Sequence, residues 1–241
     1  MSNISLITNM SNYKDMVFVK TKDGMTMMIN PNDQYISRQI AVLGEWEPHI
    51  RQALTNLIQP DMTVMDIGAN LGSHTLLMSK LAGGKGQVIA FEPCKTNHNL
   101  LFINCLINKC SNVTIYKYGA GKKSEDVMYF EQRWNDPTKE DNYGAMSLQT
   151  TSTSTEDEKI NILCIDDLQL QKLDVVKMDA EGMEPQILEG MKETMKRCTP
   201  KIILEIHAGK DTQMKSKLAD EFGYDLFFIG GIDYIAQPKK Q

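Results

Sequence analysis

No apolar run in the 241-residue chain approaches the length of about 18 residues that a helix needs to cross a bilayer. The N-terminus also lacks the basic segment followed by an apolar segment that marks a secretory signal. We therefore expect a protein that neither crosses nor binds a membrane and that works in the cytoplasm.

Cysteine is scarce and irregularly spaced. The five cysteines form no Cys-x-x-Cys pair and are Cys94, Cys105, Cys110, Cys164 and Cys198. An odd number without close pairs is typical of reduced thiols rather than of a disulfide framework. The same spacing argues against a structural zinc site, so we predict no metal of that kind.

The chain also lacks an excess of basic charge, since 26 Lys and Arg stand against 31 Asp and Glu for a net charge of −5. Proteins that bind nucleic acid broadly need a basic surface. We therefore expect no nucleic-acid partner. The hydrophobic share of 41% and the charged share of 24% are those of an ordinary globular protein.

Apolar strands alternate with helical patterns from residue 61 onwards, which predicts parallel strands joined by right-handed crossovers. Two of these helices are predicted over 184–197 and 212–222. The end differs, because short strands at 224–229 and 234–236 flank a Gly-Gly pair and predict a hairpin. Before residue 60, Asp23-Gly24 predicts a second hairpin, followed by two helices. We divide the chain into 1–60, packing on the core, and 61–241, the main domain. Residues 131–158 are polar and predict a loop.

A glycine-bearing turn follows the strand at 63–67. Asp66, Gly68, Asn70 and Gly72 lie at this turn, where the lack of a Cβ lets a ligand approach the backbone. The next strand ends in Glu92-Pro93, and an acid at that place can bind a ribose diol. The pair predicts a nucleoside-containing cofactor. The third glycine of the G-x-G-x-x-G fingerprint is missing, which argues against an NAD-dependent oxidoreductase.

Several blocks in order resemble the FkbM family of S-adenosylmethionine-dependent methyltransferases, over roughly residues 17–239. The most specific is Lys177-Met178-Asp179-Ala180-Glu181-Gly182-Met183-Glu184 with the later Leu204-Glu205-Ile206-His207. The other blocks are Gly44-Glu45-Trp46-Glu47, Asp66-Ile67-Gly68-Ala69-Asn70-Leu71-Gly72, Phe91-Glu92-Pro93, Asn142-Tyr143-Gly144-Ala145-Met146-Ser147-Leu148 and Asp166-Asp167-Leu168. Ser73-His74 departs from the family, which often has aromatic or small residues there.

The resemblance implies a doubly wound α/β fold with a mostly parallel, seven-stranded methyltransferase sheet, a C-terminal antiparallel hairpin and a small N-terminal hairpin-plus-helix extension. It also implies S-adenosylmethionine as the cofactor. Asp66 would bind its ammonium directly or through water, above the turn of Gly68, Asn70 and Gly72. Glu92 and Pro93 would meet the ribose. The remaining cofactor-binding residues would be Gly119, Ala120 and Asp179, with the first two beside the adenine.

Asp179 and Glu181 follow the fourth strand of this fold, and Glu205 and His207 end the fifth. The two strands should be neighbours, so these polar groups should converge at the carboxyl edge of the sheet. We predict them as the catalytic residues, with His207 as the base for a hydroxyl acceptor because its ordinary pKa lies near neutrality. The alternative is a structural ion-pair network that includes Lys177.

The N-terminal helices contribute a second group of candidates. Trp46 and Glu47 could cover the cofactor pocket, although a Trp there can equally serve packing. The remaining histidines, His49, His74 and His98, are predicted as surface or helix-cap residues. Acids around the site could hold a divalent cation, but the sequence does not complete a ligand set.

The reaction predicted is O-methylation of a hydroxyl on a small molecule or glycan. Two alternatives stay open, an N-methyltransferase and a methyltransferase-fold binding module without turnover. The sequence makes no prediction about oligomeric state.

Overall fold

The computed structural model describes residues 15–124, 126–130, 148–155, 157–206 and 211–239. Its main feature is a seven-stranded sheet with strands numbered along the chain. In their order across the sheet they are β11 (Tyr224–Gly230), β12 (Asp233–Pro238), β10 (Lys201–Glu205), β9 (Val175–Met178), β3 (Thr63–Ile67), β4 (Gln87–Phe91) and β5 (Val113–Tyr116).

Strand pairing in this sheet is mostly parallel, since β10–β9, β9–β3, β3–β4 and β4–β5 all pair that way. Strand β12 runs antiparallel to both β10 and β11. All four residues of β9 are buried, which is typical of a parallel strand covered by helices on both faces. The predicted doubly wound, mostly parallel sheet with a C-terminal antiparallel hairpin is confirmed.

Seven α-helices lie in the described part of the chain. They are α1 (Ile36–Leu43), α2 (Pro48–Leu57), α3 (Ser73–Ala82), α4 (Lys95–Ile107), α5 (Glu184–Gly190), α6 (Lys192–Cys198) and α7 (Asp211–Ser216). No helix among the described residues is long and apolar enough to cross a membrane.

Two predicted helices have different ends in the structure. The helix expected over 184–197 is divided at Met191, which has non-helical backbone angles. A Cβ on the preceding Gly190 would lie 2.0 Å from the carbonyl oxygen of Gly121, so the chain is held tightly against its neighbour at the break. The helix expected over 212–222 becomes α7 followed by a π-helical turn at Lys217–Glu221.

A second, three-stranded sheet was not predicted. It consists of β6 (Gly119–Gly121), β8 (Glu158–Cys164) and β7 (Val127–Phe130), in that order. Both glycines of β6 abut Ile162, and a Cβ on either would lie 2.6–2.7 Å from that side chain. The loop predicted over 131–158 therefore ends earlier, because Glu158 already belongs to β8; its residues 131–147 lie outside the described part of the chain.

The N-terminal segment folds onto the core. Strands β1 (Val17–Lys20) and β2 (Thr26–Ile29) form the predicted antiparallel hairpin. Asp33 precedes α1 and accepts the N–H of Ser37 at 2.8 Å, as a helix cap does. Apolar side chains of this segment share one buried cluster with those of α3 and α4. The division of the chain at residue 60 stays a prediction.

Candidate functional site

A cavity opens where the carboxyl ends of β3, β4, β9 and β10 meet. Nine of the predicted site residues line it: Gly68, Asn70, Glu92, Pro93, Gly119, Ala120, Asp179, Glu181 and Glu205. Trp46 and Glu47, predicted to cover the pocket, also line it. His207 lies outside the described residues.

Gly68 brings two strand ends together. Its φ of +76° lies in the left-handed region, and a Cβ would lie 1.8 Å from the carbonyl oxygen of Asp179. The N–H of Gly68 donates to the carbonyl of Phe91 at 3.0 Å. Only glycine allows this approach, so the turn after β3 positions Asp179 beside the tip of β4.

Glu92 is a buried carboxylate on the cavity wall. The backbone N–H of Asn70 donates to its Oε2 and that of Cys94 donates to its Oε1, both at 2.8 Å. Burial raises the pKa of Glu92 to about 7, against the opposing effect of these two hydrogen bonds. Each oxygen keeps a further lone pair for a ligand, so the group is oriented to accept two hydroxyl donors.

Asp66 and Gly72 do not line the cavity in the described structure. Asp66 is fully buried, and its Oδ2 accepts the hydroxyl of Thr75 at 2.6 Å. Gly72 begins α3 with a φ of +98°, and a Cβ there would lie 2.7 Å from Leu101 of α4. Both residues therefore stabilise the turn from the protein interior and not from the cavity side. Direct contact of Asp66 with the ammonium of a cofactor stays a prediction.

Lys177 is buried among acids. Its Nζ donates to the carbonyl of Gly68 at 3.1 Å and to Oδ2 of Asp179 at 3.2 Å, and it lies 3.7 Å from Oδ1 of Asp66. Burial alone would lower the pKa of Lys177, but the charges of Asp179, Asp66 and Glu47 outweigh it and raise the pKa. The ion-pair network considered for Lys177 is present, and it forms one wall of the cavity.

The acids beyond β9 and β10 converge as predicted. Burial, with the charges of Asp179 and Glu184, raises the pKa of Glu181 to about 7. Burial and the charges of Asp179 and Asp233 also raise the pKa of Glu205. A cationic ligand beside these acids would be favoured, because its charge would stabilise their ionised forms against burial and against the neighbouring carboxylates.

The prediction for the histidines was wrong at two positions. His74 and His98 are buried, at 4% and 7% exposure, rather than at the surface. The Nε2 of His74 lies 3.0 Å from Oε2 of Glu47, and both residues line the cavity. The position of His74 in the sequence indicates this location, because the first turn of a helix that follows a glycine turn faces the ligand edge of such a sheet. His49 is half-buried and contacts Asp233 at 2.7 Å.

Comparison with known proteins identifies the family. The family model of the Methyltransferase FkbM domain matches residues 66–226, more than half of the chain. This chain belongs to the FkbM methyltransferase family. The match begins at Asp66, so the cavity residues Trp46 and Glu47 of the N-terminal segment precede the matched range.

Relatives of this FkbM methyltransferase include the hexuronic acid methyltransferase AglP of Haloferax volcanii, which is 29% identical over 73% of this chain and 68% of its own. The solved structure of Methyltransferase FkbM from Methylobacillus flagellatus KT has a TM-score of 0.51, with 17% identity over 77% of this chain. This chain spans 50% of that protein's length. A methyltransferase from Geobacter sulfurreducens has a TM-score of 0.50, with 14% identity over 84% of this chain and 86% of its own. The two structures show the shared fold.

The described residues of this family member form no metal site. No group of three or more His, Cys, Asp or Glu side chains in that part of the chain is arranged to hold a metal ion. Of the acids that line the cavity, Asp179 pairs with Lys177 and Glu47 contacts His74.

Proposed function

We propose that this protein is an S-adenosylmethionine-dependent O-methyltransferase that acts on a hydroxyl of a sugar or other small polar molecule. Membership of the FkbM methyltransferase family supports the reaction class. The observation that carries the cofactor assignment is Glu92, whose two oxygens are aligned by backbone N–H groups at the cavity wall. A ribose diol supplies the two donors that this carboxylate can still accept.

The rest of the cavity suits the other parts of the same cofactor. Gly119 and Ala120 line the cavity together with the apolar side chains of Phe130 and Leu148, and such a lining would suit a flat base. The acids around Lys177 suit the positive charge of a sulfonium. When bound, S-adenosylmethionine supplies a methyl group that is activated for displacement.

The protein's own part in the reaction is alignment and proton removal. The acceptor oxygen must face the methyl carbon in line with the bond from that carbon to sulfur, and its proton must leave as the new carbon–oxygen bond forms. His207 stays the predicted base. Asp179 and Glu205 line the cavity at the ends of β9 and β10 and would orient the acceptor hydroxyl.

A sugar is the favoured acceptor because the relative AglP is named a hexuronic acid methyltransferase. The polar lining of the cavity near β9 and β10 is consistent with an acceptor that carries several hydroxyls. The competing acceptor is an amine. The methylated product distinguishes the two, because a hydroxyl gives a methyl ether and an amine gives a methylamine.

The test is transfer of labelled methyl from S-adenosylmethionine to a panel of neutral sugars, uronic acids and amines. We expect label in the sugars as an alkali-stable ether, and loss of that label in the variants Asp179→Asn and His207→Ala. Label in amines alone would overturn oxygen as the acceptor. Absence of transfer across the whole panel would contradict turnover.

A further inference from the structure

Five carboxylates line the described cavity: Glu47, Glu92, Asp179, Glu181 and Glu205. Their negative charges are balanced to different degrees. The charge of Asp179 is paired with the ammonium of Lys177 at 3.2 Å. Burial raises the pKa of Glu92 and of Glu181 to about 7, so each of them binds a proton part of the time at neutral pH.

Glu47 is the exception in this group. Burial alone would raise the pKa of Glu47, but the hydrogen bond and charge of His74, with the charges of Lys177 and His49, lower it below the ordinary value. It therefore stays ionised at neutral pH. The side chain is only 17% exposed, so this charge is directed at the protein and the cavity rather than at bulk water.

The contact with His74 fixes the orientation of the Glu47 carboxylate. Nε2 of His74 lies 3.0 Å from Oε2 of Glu47, whereas its Nδ1 is buried without a hydrogen-bond partner among the described residues. A proton on Nδ1 would be a buried, unsatisfied donor, which is costly. Nε2 therefore carries a proton and donates it to Glu47. This single bond leaves lone pairs of the carboxylate available to a ligand.

The backbone at Glu47 is strained. Its φ of +44° is in the left-handed region, which a residue with a Cβ adopts at a cost of about 1–2 kcal/mol. Pro48 follows at the first position of α2 and restricts the chain further. Such strain persists where surrounding contacts hold a side chain in one place, and it concentrates at ligand sites.

Position along the sheet relates Glu47 to one end of the ligand. Glu92 follows β4 and defines the ribose end of the cavity. Glu47 contacts His74, which lies in the first turn of α3 and so directly follows the turn after β3. Glu47 therefore lies toward the end of the cavity that is opposite the proposed adenine position. There the amino-acid part of the cofactor would extend past the Gly68 turn.

We propose that Glu47, oriented by His74, binds the α-ammonium group of the amino-acid part of S-adenosylmethionine. The inference rests on the proposed cofactor and differs from the sequence-based assignment of that ammonium to Asp66. Glu47 belongs to the N-terminal segment, which precedes the range matched by the family model. The proposal therefore gives this segment a binding role.

The test compares two ligands in three proteins by isothermal titration. S-Adenosylhomocysteine carries the ammonium, and methylthioadenosine keeps the adenosine and thioether but lacks the amino acid. The variant is Glu47→Gln. The matched control is Glu45→Gln, which removes a carboxylate two residues away that is 16% exposed, pairs with Lys22 and does not line the cavity.

We expect Glu47→Gln to weaken S-adenosylhomocysteine about tenfold or more, as for loss of a hydrogen bond between charged groups, and to change methylthioadenosine by less than about twofold. Glu45→Gln should change neither by more than about twofold. Equal loss of both ligands in Glu47→Gln overturns the proposal, because it makes the residue structural. Unchanged binding of S-adenosylhomocysteine overturns it directly. If the parent protein binds neither ligand, the proposed cofactor itself is wrong, and this inference falls with it.

Discussion

Glu92, which is buried, and Glu47, which is 17% exposed, both line the cavity, yet their surroundings shift their pKa values in opposite directions. Burial raises the pKa of Glu92 to about 7, because the backbone N–H groups of Asn70 and Cys94 do not offset the loss of water. The pKa of Glu47 is lowered because His74 and Lys177 outweigh burial. In the proposed site, one residue type would therefore serve both as a titrating ribose acceptor and as a carboxylate that stays ionised at neutral pH.

The pKa of Glu92 predicts a pH-dependent affinity for nucleosides. Ribose hydroxyls donate to the ionised carboxylate, so binding releases a proton and strengthens as the pH rises through about 7. We expect methylthioadenosine, which has no titrating amine, to bind about tenfold more weakly at about pH 6 than at about pH 8. Isothermal titration across this range measures it.

The control for this prediction is Glu92→Gln, which cannot ionise. Its affinity should be low and nearly independent of pH, since the Gln amide would direct a donor at the N–H of Asn70 or of Cys94. A variant whose affinity follows the same pH curve as the parent would show that another group titrates.

At the scale of elements, the decisive contact is that between the turn after β3 and the end of β9. Gly68 allows the carbonyl of Asp179 to approach, and Lys177 then joins both with hydrogen bonds to the Gly68 carbonyl and the Asp179 carboxylate. The site therefore depends on backbone packing between two neighbouring strand ends as much as on its side chains.

Two glycine variants separate this packing from backbone conformation. Gly83 has a φ of +70° and open space where a Cβ would lie, whereas Gly68 has a similar φ and meets a backbone oxygen at 1.8 Å. Gly83→Ala should lower the free energy of unfolding by about 1–3 kcal/mol, and Gly68→Ala by at least about 4 kcal/mol, because the backbone of Asp179 must also move. Equilibrium urea unfolding measures both. Equal losses would contradict the role given to the contact.

The regular alternation of strands and helices made the large sheet predictable. Close packing between segments that are distant in the sequence was not predictable. The parallel pairing and the C-terminal hairpin follow from the alternation of strands with helices and from a Gly-Gly turn. The sheet containing β6 depends on Ile162 meeting Gly119 and Gly121 from another part of the chain, a contact that no local pattern reveals. The break before α6 has the same origin at Gly190.

The candidate site likewise has features that the sequence predicts and features that it does not. Motif spacing was sufficient to place Glu92, Asp179, Glu181 and Glu205 at one cavity, because strand ends of a parallel sheet share an edge. The contact of His74 with Glu47 could not be predicted in this way, because Glu47 arrives from the N-terminal segment, 27 residues earlier in the chain.

At the scale of the whole molecule, the N-terminal segment and the methyltransferase core are joined by apolar and polar contacts. Met27, Ile29 and Ile40 share a buried cluster with side chains of the core. Asn104 of α4 is fully buried; its amide donates to the carbonyls of Met28 at 3.0 Å and Leu71 at 2.8 Å, and its Oδ1 accepts the N–H of Met28.

These contacts predict one cooperative unfolding transition. The chain has two tryptophans, so Trp134→Phe leaves Trp46 as a fluorescent reporter of the N-terminal segment. Its urea transition should coincide with that of far-ultraviolet circular dichroism. Asn104→Ala in the same background should move both curves together by about 2 kcal/mol or more, because it leaves buried backbone groups unpaired. An earlier Trp46 transition would mean that the segment unfolds on its own.

The central claim is that the cavity at the carboxyl edge of the sheet binds S-adenosylmethionine through Glu92. Isothermal titration of the whole chain with S-adenosylmethionine tests it most directly. We predict saturable binding of one cofactor per chain, weakened about tenfold or more by Glu92→Gln. An absence of binding at millimolar cofactor, or retention of NAD in its place, would contradict the account.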